Sequence, residues 1–425
     1  MSDSGSNPYG SNTSYVVTQC HICKKKDLRS ILFLGYLPPV NTMHRIGTRP
    51  AEQPGYPAEL LQCSKCKLVQ LGLVVDPKIL FPPEYPYTSS TTRILKENFA
   101  EMYNECRSLM SLDSNDLVVD IGSNDGNLLS NFKDAHKVQG VTPEEIGKIA
   151  ISKGIPTIIS YFGKEAVETI LAERGPAKVI TATNVFAHID GVNEIVKCIL
   201  ELLDQKGVFI TECHYLGSLV ENLQYDTIYH EHLMYYSLHS LKYLLEQHGL
   251  EIFHAKQIPT HGGSIRAYVS RKGNFPVKRT VSKILNLEKE VDLEEKGLID
   301  FKNRVVISKL ELYSALLDIK KQKKKIYGIG APSRASTLIN YVGIDNGIMD
   351  YVLEIKGSHK IGKYIPGTLI PVLDEIKLYE DQPEYALLLS WHIAEELAPK
   401  IAQLGFEGDF IVPLPTPRIL KNPLK

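Results

Sequence analysis

The sequence lacks the features that would draw it to nucleic acid or into a membrane. Its 48 Lys and Arg are matched by 49 Asp and Glu, for a net charge of -1. No one-signed field is left to attract a polyanion or an anionic membrane surface. The basic triplet Lys24 to Lys26 has no interleaved aromatics and no matching stripe, so it reads as a solvated face and not a nucleic-acid contact. No apolar run approaches the ~18 residues that cross a bilayer, so no membrane segment is expected. The first fifteen residues are rich in Ser, Asn, Gly and Tyr. They carry no apolar h-region, so the expectation is a frayed terminus and a cytoplasmic protein. Seven cysteines are an odd number, which suits a metal site better than a disulfide framework in a chain without an export signal.

What is present is an ordinary globular composition, 43% hydrophobic and 23% charged over 425 residues. That length exceeds a single core and implies two to four domains. Four of the cysteines form two knuckles of identical spacing, Cys20-His-Ile-Cys23 and Cys63-Ser-Lys-Cys66. Two such turns complete a closed tetrahedral sulfur cage, which implies structural zinc over residues 1–75. His21 reads as a bystander. Beyond the head, Phe81-Pro-Pro-Glu-Tyr-Pro-Tyr-Thr-Ser-Ser90 is a proline-stiffened loop with two tyrosines and three hydroxyls, and a helix is expected over 91–109.

From there to residue 272 strands and helices alternate, which calls for a parallel sheet covered on both faces. Leu117-Val-Val-Asp-Ile121 is a buried strand running into Gly122-Ser-Asn-Asp-Gly-Asn127 and a helical Leu128 to Phe132. Strand, glycine turn and helix form a cofactor loop at the carboxyl edge of such a sheet. The glycine spacing differs from the dinucleotide fingerprint and matches the S-adenosylmethionine (SAM) loop of class I methyltransferases. Asp120, Gly122, Asn124, Asp125 and Gly126 are the candidate cofactor residues, with Asn184 after a later strand. Strand two ends at Thr142, where an acid usually meets the cofactor ribose; a hydroxyl makes fewer and weaker bonds there. Glu144 is the nearest alternative acid. Residues 273–425 form a second α/β unit. Within it Ile326-Tyr-Gly-Ile-Gly-Ala-Pro-Ser-Arg-Ala-Ser-Thr337 is again strand, glycine turn and helix. Arg334 and Thr337 sit where a phosphate could bind, while the missing third glycine disfavours a dinucleotide.

The densest chemistry is Tyr229-His-Glu-His232, four consecutive residues able to move protons near neutral pH. Taken with the double knuckle, Tyr85-Pro-Tyr-Thr-Ser-Ser90, Asp120-Ile-Gly-Ser-Asn-Asp-Gly126, Asn184-Val-Phe-Ala-His-Ile189, His261-Gly-Gly-Ser264 and Pro366-Gly-Thr368, it makes the chain resemble the sugar C-methyltransferases over nearly its whole length. Members of that family methylate C3 of nucleotide-linked 4-keto-6-deoxy sugars. The resemblance implies three parts: a zinc head at 1–75, a Rossmann-like SAM methyltransferase domain at 76–272, and a Rossmann-like domain at 273–425 that helps hold a sugar nucleotide such as a dTDP-sugar. It makes His232 the base, with Glu231 its partner. Tyr229 and His188 become hydrogen-bond donors to the developing oxyanion, and Tyr87 or Tyr85 a further active-site tyrosine. Ser89, Ser90, Ser264, Arg334 and Thr337 become substrate contacts, although in the family the Arg334 position often carries lysine. Two rival readings stay open: a sugar O-methyltransferase, and a non-catalytic zinc-knuckle binding protein with a degenerate methyltransferase fold.

Overall fold

The computed structural model describes residues 13–48, 53–81 and 93–425. The central sheet has seven strands. In space they run Leu250–Ile258, Ser264–Arg271, Leu203–His214, Ala177–Thr183, Leu117–Ile121, Lys137–Thr142 and Thr157–Ile159. Ser264–Arg271 is antiparallel to both its neighbours, and the ladders joining the last five strands are all parallel. This is the α/β sheet that the alternation of elements predicted, with Leu117–Ile121 buried throughout in the middle of its five parallel strands.

Helix Arg93–Leu109 packs on this sheet through Leu95, Phe99, Met102 and Cys106. The fully buried Arg266 guanidinium locks it there, reaching Glu212 and Glu105 at 2.6 Å each and the Asn98 carbonyl at 3.1 Å. A buried cation is tolerable only with such a complete set of partners.

The C-terminal sheet has six strands in the order Val372–Asp374, Tyr351–Glu354, Ile326–Ile329, Tyr385–Leu388, Asp409–Val412 and Arg418–Leu420. Numbered along the chain this is 3-2-1-4-5-6, the dinucleotide-fold order. Two helices, Arg279–Val291 and Lys296–Lys321, lead into it. The chain breaks between them, where Asp292 adopts a left-handed conformation.

A four-stranded antiparallel sheet belongs to the head, and its edge strand does not. Leu28–Leu37, Tyr56–Cys63 and Val69–Leu71 are joined by Met234–Tyr235, the strand immediately after the Tyr229–His232 cluster. The apolar cores cross the expected boundaries in the same way. Leu32, Leu60 and Leu71 of the head share one core with Phe301, Val305 and Leu312 of the long helix. Leu68 and the knuckle cysteines share another with the seven-stranded sheet.

Some local expectations change. The cofactor loop is followed by a single 3-10 turn, Leu129–Asn131. There Ser130 Oγ and Asn131 Nδ2 donate to the Asn127 carbonyl, a local competition that suppresses a regular helix. After the second knuckle, Val69–Leu71 and Leu73–Val74 are separate short strands divided at Gly72. In the C-terminal sheet, strand Tyr385–Leu388 stops short of Trp391, and Trp391–Ile393 is a 3-10 turn.

Candidate active site

The carboxyl ends of strands Leu117–Ile121, Ala177–Thr183 and Leu203–His214 meet at one rim. Gly122 (φ 74°) and Gly126 (φ 78°) turn the cofactor loop there. A Cβ on Gly122 would lie 2.6 Å from Val185 Cγ2, and one on Gly126 2.7 Å from Ile155 Cδ1. Glycine is therefore required at both, because left-handed backbone and close packing coincide. The Gly122 and Ser123 amides both donate to the Val141 carbonyl, at 2.8 and 3.1 Å, which ties the loop to strand two. Asn124 (φ 50°) and Asn184 (φ 57°) are also left-handed. Among the described residues, buried Ser123 Oγ and Asn184 Oδ1 have no hydrogen-bond partner. Unsatisfied buried acceptors on a glycine rim fit a polar cofactor such as SAM.

Asp120 and Asp125 support the loop from below. The Asp120 carboxylate accepts from Thr181 Oγ1 at 2.6 Å, and burial pushes its pKa up to about 7. Asp125 pairs with Lys153 at 3.2 Å. Thr142 closes its strand and is buried. Glu144 lies two residues further on, half-buried, with its carboxyl pKa raised by burial.

Opposite the loop four imidazoles gather. His232 lies 5.0 Å from His188 and 4.9 Å from His214 between ring centroids, and His214 lies 5.4 Å from His261. The Tyr229 ring packs 4.2 Å from His232. His232 Nδ1 donates to the Thr227 carbonyl at 2.9 Å and His188 Nδ1 to the Glu231 carbonyl at 2.6 Å. Each bond assigns the proton to Nδ1 and leaves Nε2 with its lone pair. Burial lowers the pKa of His188, His214 and His232 below the usual imidazole value, and for His232 the neighbouring His188 adds to it. Burial, with the Arg334 charge, lowers His261 to about 4. All four rings are therefore neutral at pH 7. Tyr229 shifts the other way, its hydroxyl held protonated by burial and by the Glu231 charge.

The residues that hold Glu231 and its surroundings come from all three parts of the chain. Asn41 Nδ2 donates to Glu231 Oε1 at 2.6 Å, and its Oδ1 accepts from Ser333 at 3.2 Å. The Lys360 ammonium is bound to the Ala331 carbonyl at 2.5 Å; burial lowers its pKa, and the charges of Glu354 and Glu231 oppose that. His230 faces away into the head, against Tyr56 and the Pro57 carbonyl.

Other expected contacts are engaged elsewhere or fall outside the described residues. Tyr85, Tyr87, Ser89 and Ser90 fall outside the described residues; Phe81, the last described residue before them, has its ring 6.2 Å from His188. Arg334 is buried, and its fork is bound to Asp226 at 2.9 Å through both Nε and Nη2. It is thus engaged inside the protein and not presented to a phosphate. Thr337 is buried in the same helix. Ser264 is fully buried and donates to the Thr260 carbonyl at 3.0 Å. Through the ladder its backbone stands opposite His214.

His214, Asn41 and Lys360 carried no signal in isolation. His261 did, in His261-Gly-Gly-Ser264: its own φ is 56°, and a Cβ on Gly263 would lie 2.5 Å from Ser218.

In the head, Cys20, Cys23, Cys63 and Cys66 bring their sulfurs within 4.8 Å of one another. Cys20–Cys66 and Cys23–Cys63 are each 3.4 Å apart, too far for a disulfide and right for four thiolates around one zinc ion. His21, read as a bystander, pairs through Nδ1 with Asp190 at 2.9 Å and so ties the knuckle to the methyltransferase sheet.

Comparison with known proteins agrees with this layout. Residues 20–81 match a family described as "Putative zinc binding domain", residues 90–255 one described as "Methyltransferase domain", and residues 259–415 one described as "C-methyltransferase C-terminal domain". The C-methyltransferase NovU of Streptomyces niveus is 29% identical over 409 residues, covering 95% of this chain and 97% of that one. Among solved structures, magnesium protoporphyrin IX methyltransferase from Synechocystis PCC 6803 with bound SAM aligns at a TM-score of 0.32 and 14% identity, over 42% of this chain and 79% of that one. A SAM-dependent methyltransferase from Clostridium acetobutylicum aligns at 0.32 and 14%, over 43% and 94%. Three family matches in one order, from residue 20 to residue 415, and a relative aligned over nearly its full length make the chain similar to C-methyltransferases throughout: it is a SAM-dependent methyltransferase with a zinc-binding head.

Proposed function

We propose that the protein methylates C3 of a nucleotide-linked 4-keto-6-deoxy sugar, with His232 as the base. The observation that carries this is the tautomer of His232. Its Nδ1–H is held by the Thr227 carbonyl, so Nε2 faces the cluster as a lone pair. A proton on carbon beside a ketone can be removed only if a base is placed on it and the new oxyanion is stabilised. Tyr229, kept protonated and packed on His232, is the donor suited to the C4 oxygen. His188, neutral with its Nδ1–H already engaged, is an acceptor and not an oxyanion donor. Glu231, anchored by Asn41, is placed to accept from a sugar hydroxyl.

In the proposed reaction the C3–H electrons move into an enolate as the proton passes to His232 Nε2. SAM, when bound, would supply the electrophilic methyl for the enolate carbon, with S-adenosylhomocysteine as the leaving group. Ser123, Asn184 and the loop from Gly122 to Gly126 are the residues that would hold it. Glu144, two residues past Thr142, is the acid we assign to its ribose.

Labelled SAM and a panel of 4-keto-6-deoxy nucleotide sugars test the reading. Label is expected on a carbon-bound methyl, and in D2O without SAM deuterium is expected at C3. His232→Ala should abolish both while SAM still binds. Label on oxygen, or exchange that survives in His232→Ala, would sink the assignment.

A further inference from the structure

In an open sheet of order 3-2-1-4-5-6 a ligand normally enters at the carboxyl ends of strands 1 and 4, where the winding reverses. Here those strands are Ile326–Ile329 and Tyr385–Leu388. Arg334 stands in the first turn of the helix after the one, and Trp391 just beyond the other. The crevice already holds an anion, and it comes from the methyltransferase part of the chain. Asp226 is fully buried there. Its Oδ1 accepts from Arg334 Nη2 at 2.9 Å, and its Oδ2 from Arg334 Nε at 2.9 Å and Trp391 Nε1 at 2.7 Å. The guanidinium also lies over the indole, 5.0 Å from its centroid, and bonds Gln224 Oε1 and His392 Nδ1 at 3.1 Å each. The second polar feature of such a fold, the acid ending strand 2, is likewise used internally: Glu354 accepts the Ala331 amide at 2.6 Å.

Asp226 belongs to the turn Tyr225–Thr227, and the next carbonyl after it is that of Thr227. That carbonyl receives His232 Nδ1–H. Gln224, held by the same arginine, donates to the Gly262 carbonyl at 2.6 Å, one residue past His261. On the other side of the cluster, Met234–Tyr235 is fixed in the head sheet.

We propose that the ligand crevice of the C-terminal domain takes Asp226 as its resident anion, and that this seated carboxylate fixes the tautomer of His232 through the Thr227 carbonyl. Asp226, Arg334 and Trp391 are then positioning residues, and the domain that looks built for a nucleotide acts on the reaction by holding a turn. The consequence for catalysis rests on His232 being the base; the tautomer itself does not.

The test uses the full-length zinc-loaded protein labelled with 15N-histidine, its His232 resonances identified by their loss in His232→Gln. Long-range proton–nitrogen spectra should show the Nδ1–H form alone in the parent protein. In Asp226→Asn, which keeps the shape and removes the charge, both tautomers should appear while SAM affinity stays within twofold. Arg334→Leu should do the same, and if it fails to fold, Asp226→Asn decides. With substrate, kcat should fall at least tenfold and KM change less than threefold. An unchanged Nδ1–H pattern in folded Asp226→Asn, or a rise in KM at constant kcat, would overturn the proposal. Because the spectra need no substrate, a failed methylation assay leaves this test standing.

Discussion

Around His232 the rings of Tyr229, His188 and His214 exclude water, and the cationic forms of its neighbours are costly there. An imidazole of ordinary pKa has lost roughly three quarters of its base form by pH 6. His232 is depressed well below that ordinary value, by burial first and then by His188. If it is the base, the catalytic form persists where a solvated histidine would have titrated. The expected outcome is a kcat/KM that changes less than about twofold between pH 7.5 and 6, read by initial rates of label transfer. A fall of about fourfold over that interval would mean that the base is an ordinary exposed imidazole.

At the scale of elements, the cofactor loop and the zinc knuckles each make a separable prediction. Gly122→Ala places a Cβ 2.6 Å from Val185 in a left-handed backbone. That conformation alone costs about 1–2 kcal/mol, so calorimetry should show SAM affinity reduced at least about tenfold, with the zinc content unchanged. Cys63→Ser removes one of four thiolates from a cage with no other ligand set among the described residues. Elemental analysis should fall from one zinc per chain to well below one, and methyl transfer should fall with it. The coupling is structural: the sheet that the knuckle closes carries Met234–Tyr235 on its edge, and the head supplies Asn41 to Glu231. Retained activity in a zinc-free variant would show that the head does not position the cluster.

These elements also mark where the sequence was readable. The knuckles, the strands and the glycine loop are local patterns, each fixed by spacing within a dozen residues. The buried strand Leu117–Ile121 and both knuckles could be named from their own residues. His214 could not, because it enters the site through its ladder position opposite Ser264. Asn41 reaches Glu231 across 190 residues, and Arg334 reaches Asp226 across 108. Arg334 shows the failure most clearly. Its neighbourhood in sequence is that of a phosphate loop, and only the fold reveals that an internal carboxylate has taken the phosphate's place.

Over the whole molecule, the same burial that tunes the site makes the fold acid-labile. Ten imidazoles are lowered: His188, His214, His230, His232, His239, His248, His254, His261, His359 and His392. Burial brings His230 to about 4. Between pH 6.5 and 4 the unfolded chain binds protons at these positions and the folded chain does not, so their stabilisation is complete above pH 6.5 and lost as pH falls. Among the described residues, four buried or half-buried carboxyls act in the opposite direction. Asp120 is raised to about 7, and Glu144, Glu212 and Glu288 are raised as well, so each favours the folded state as pH falls through its window. Ten against four leaves the imidazoles in control, though the half-exposed rings count for less. Urea unfolding should therefore show stability dropping by a few kcal/mol, roughly, between pH 6.5 and 4.5. His230→Gln, which replaces a buried ring outside the cleft, should flatten that drop. A stability that is level or rising on acidification would mean that the carboxyls, with Asp120 foremost, dominate the proton balance.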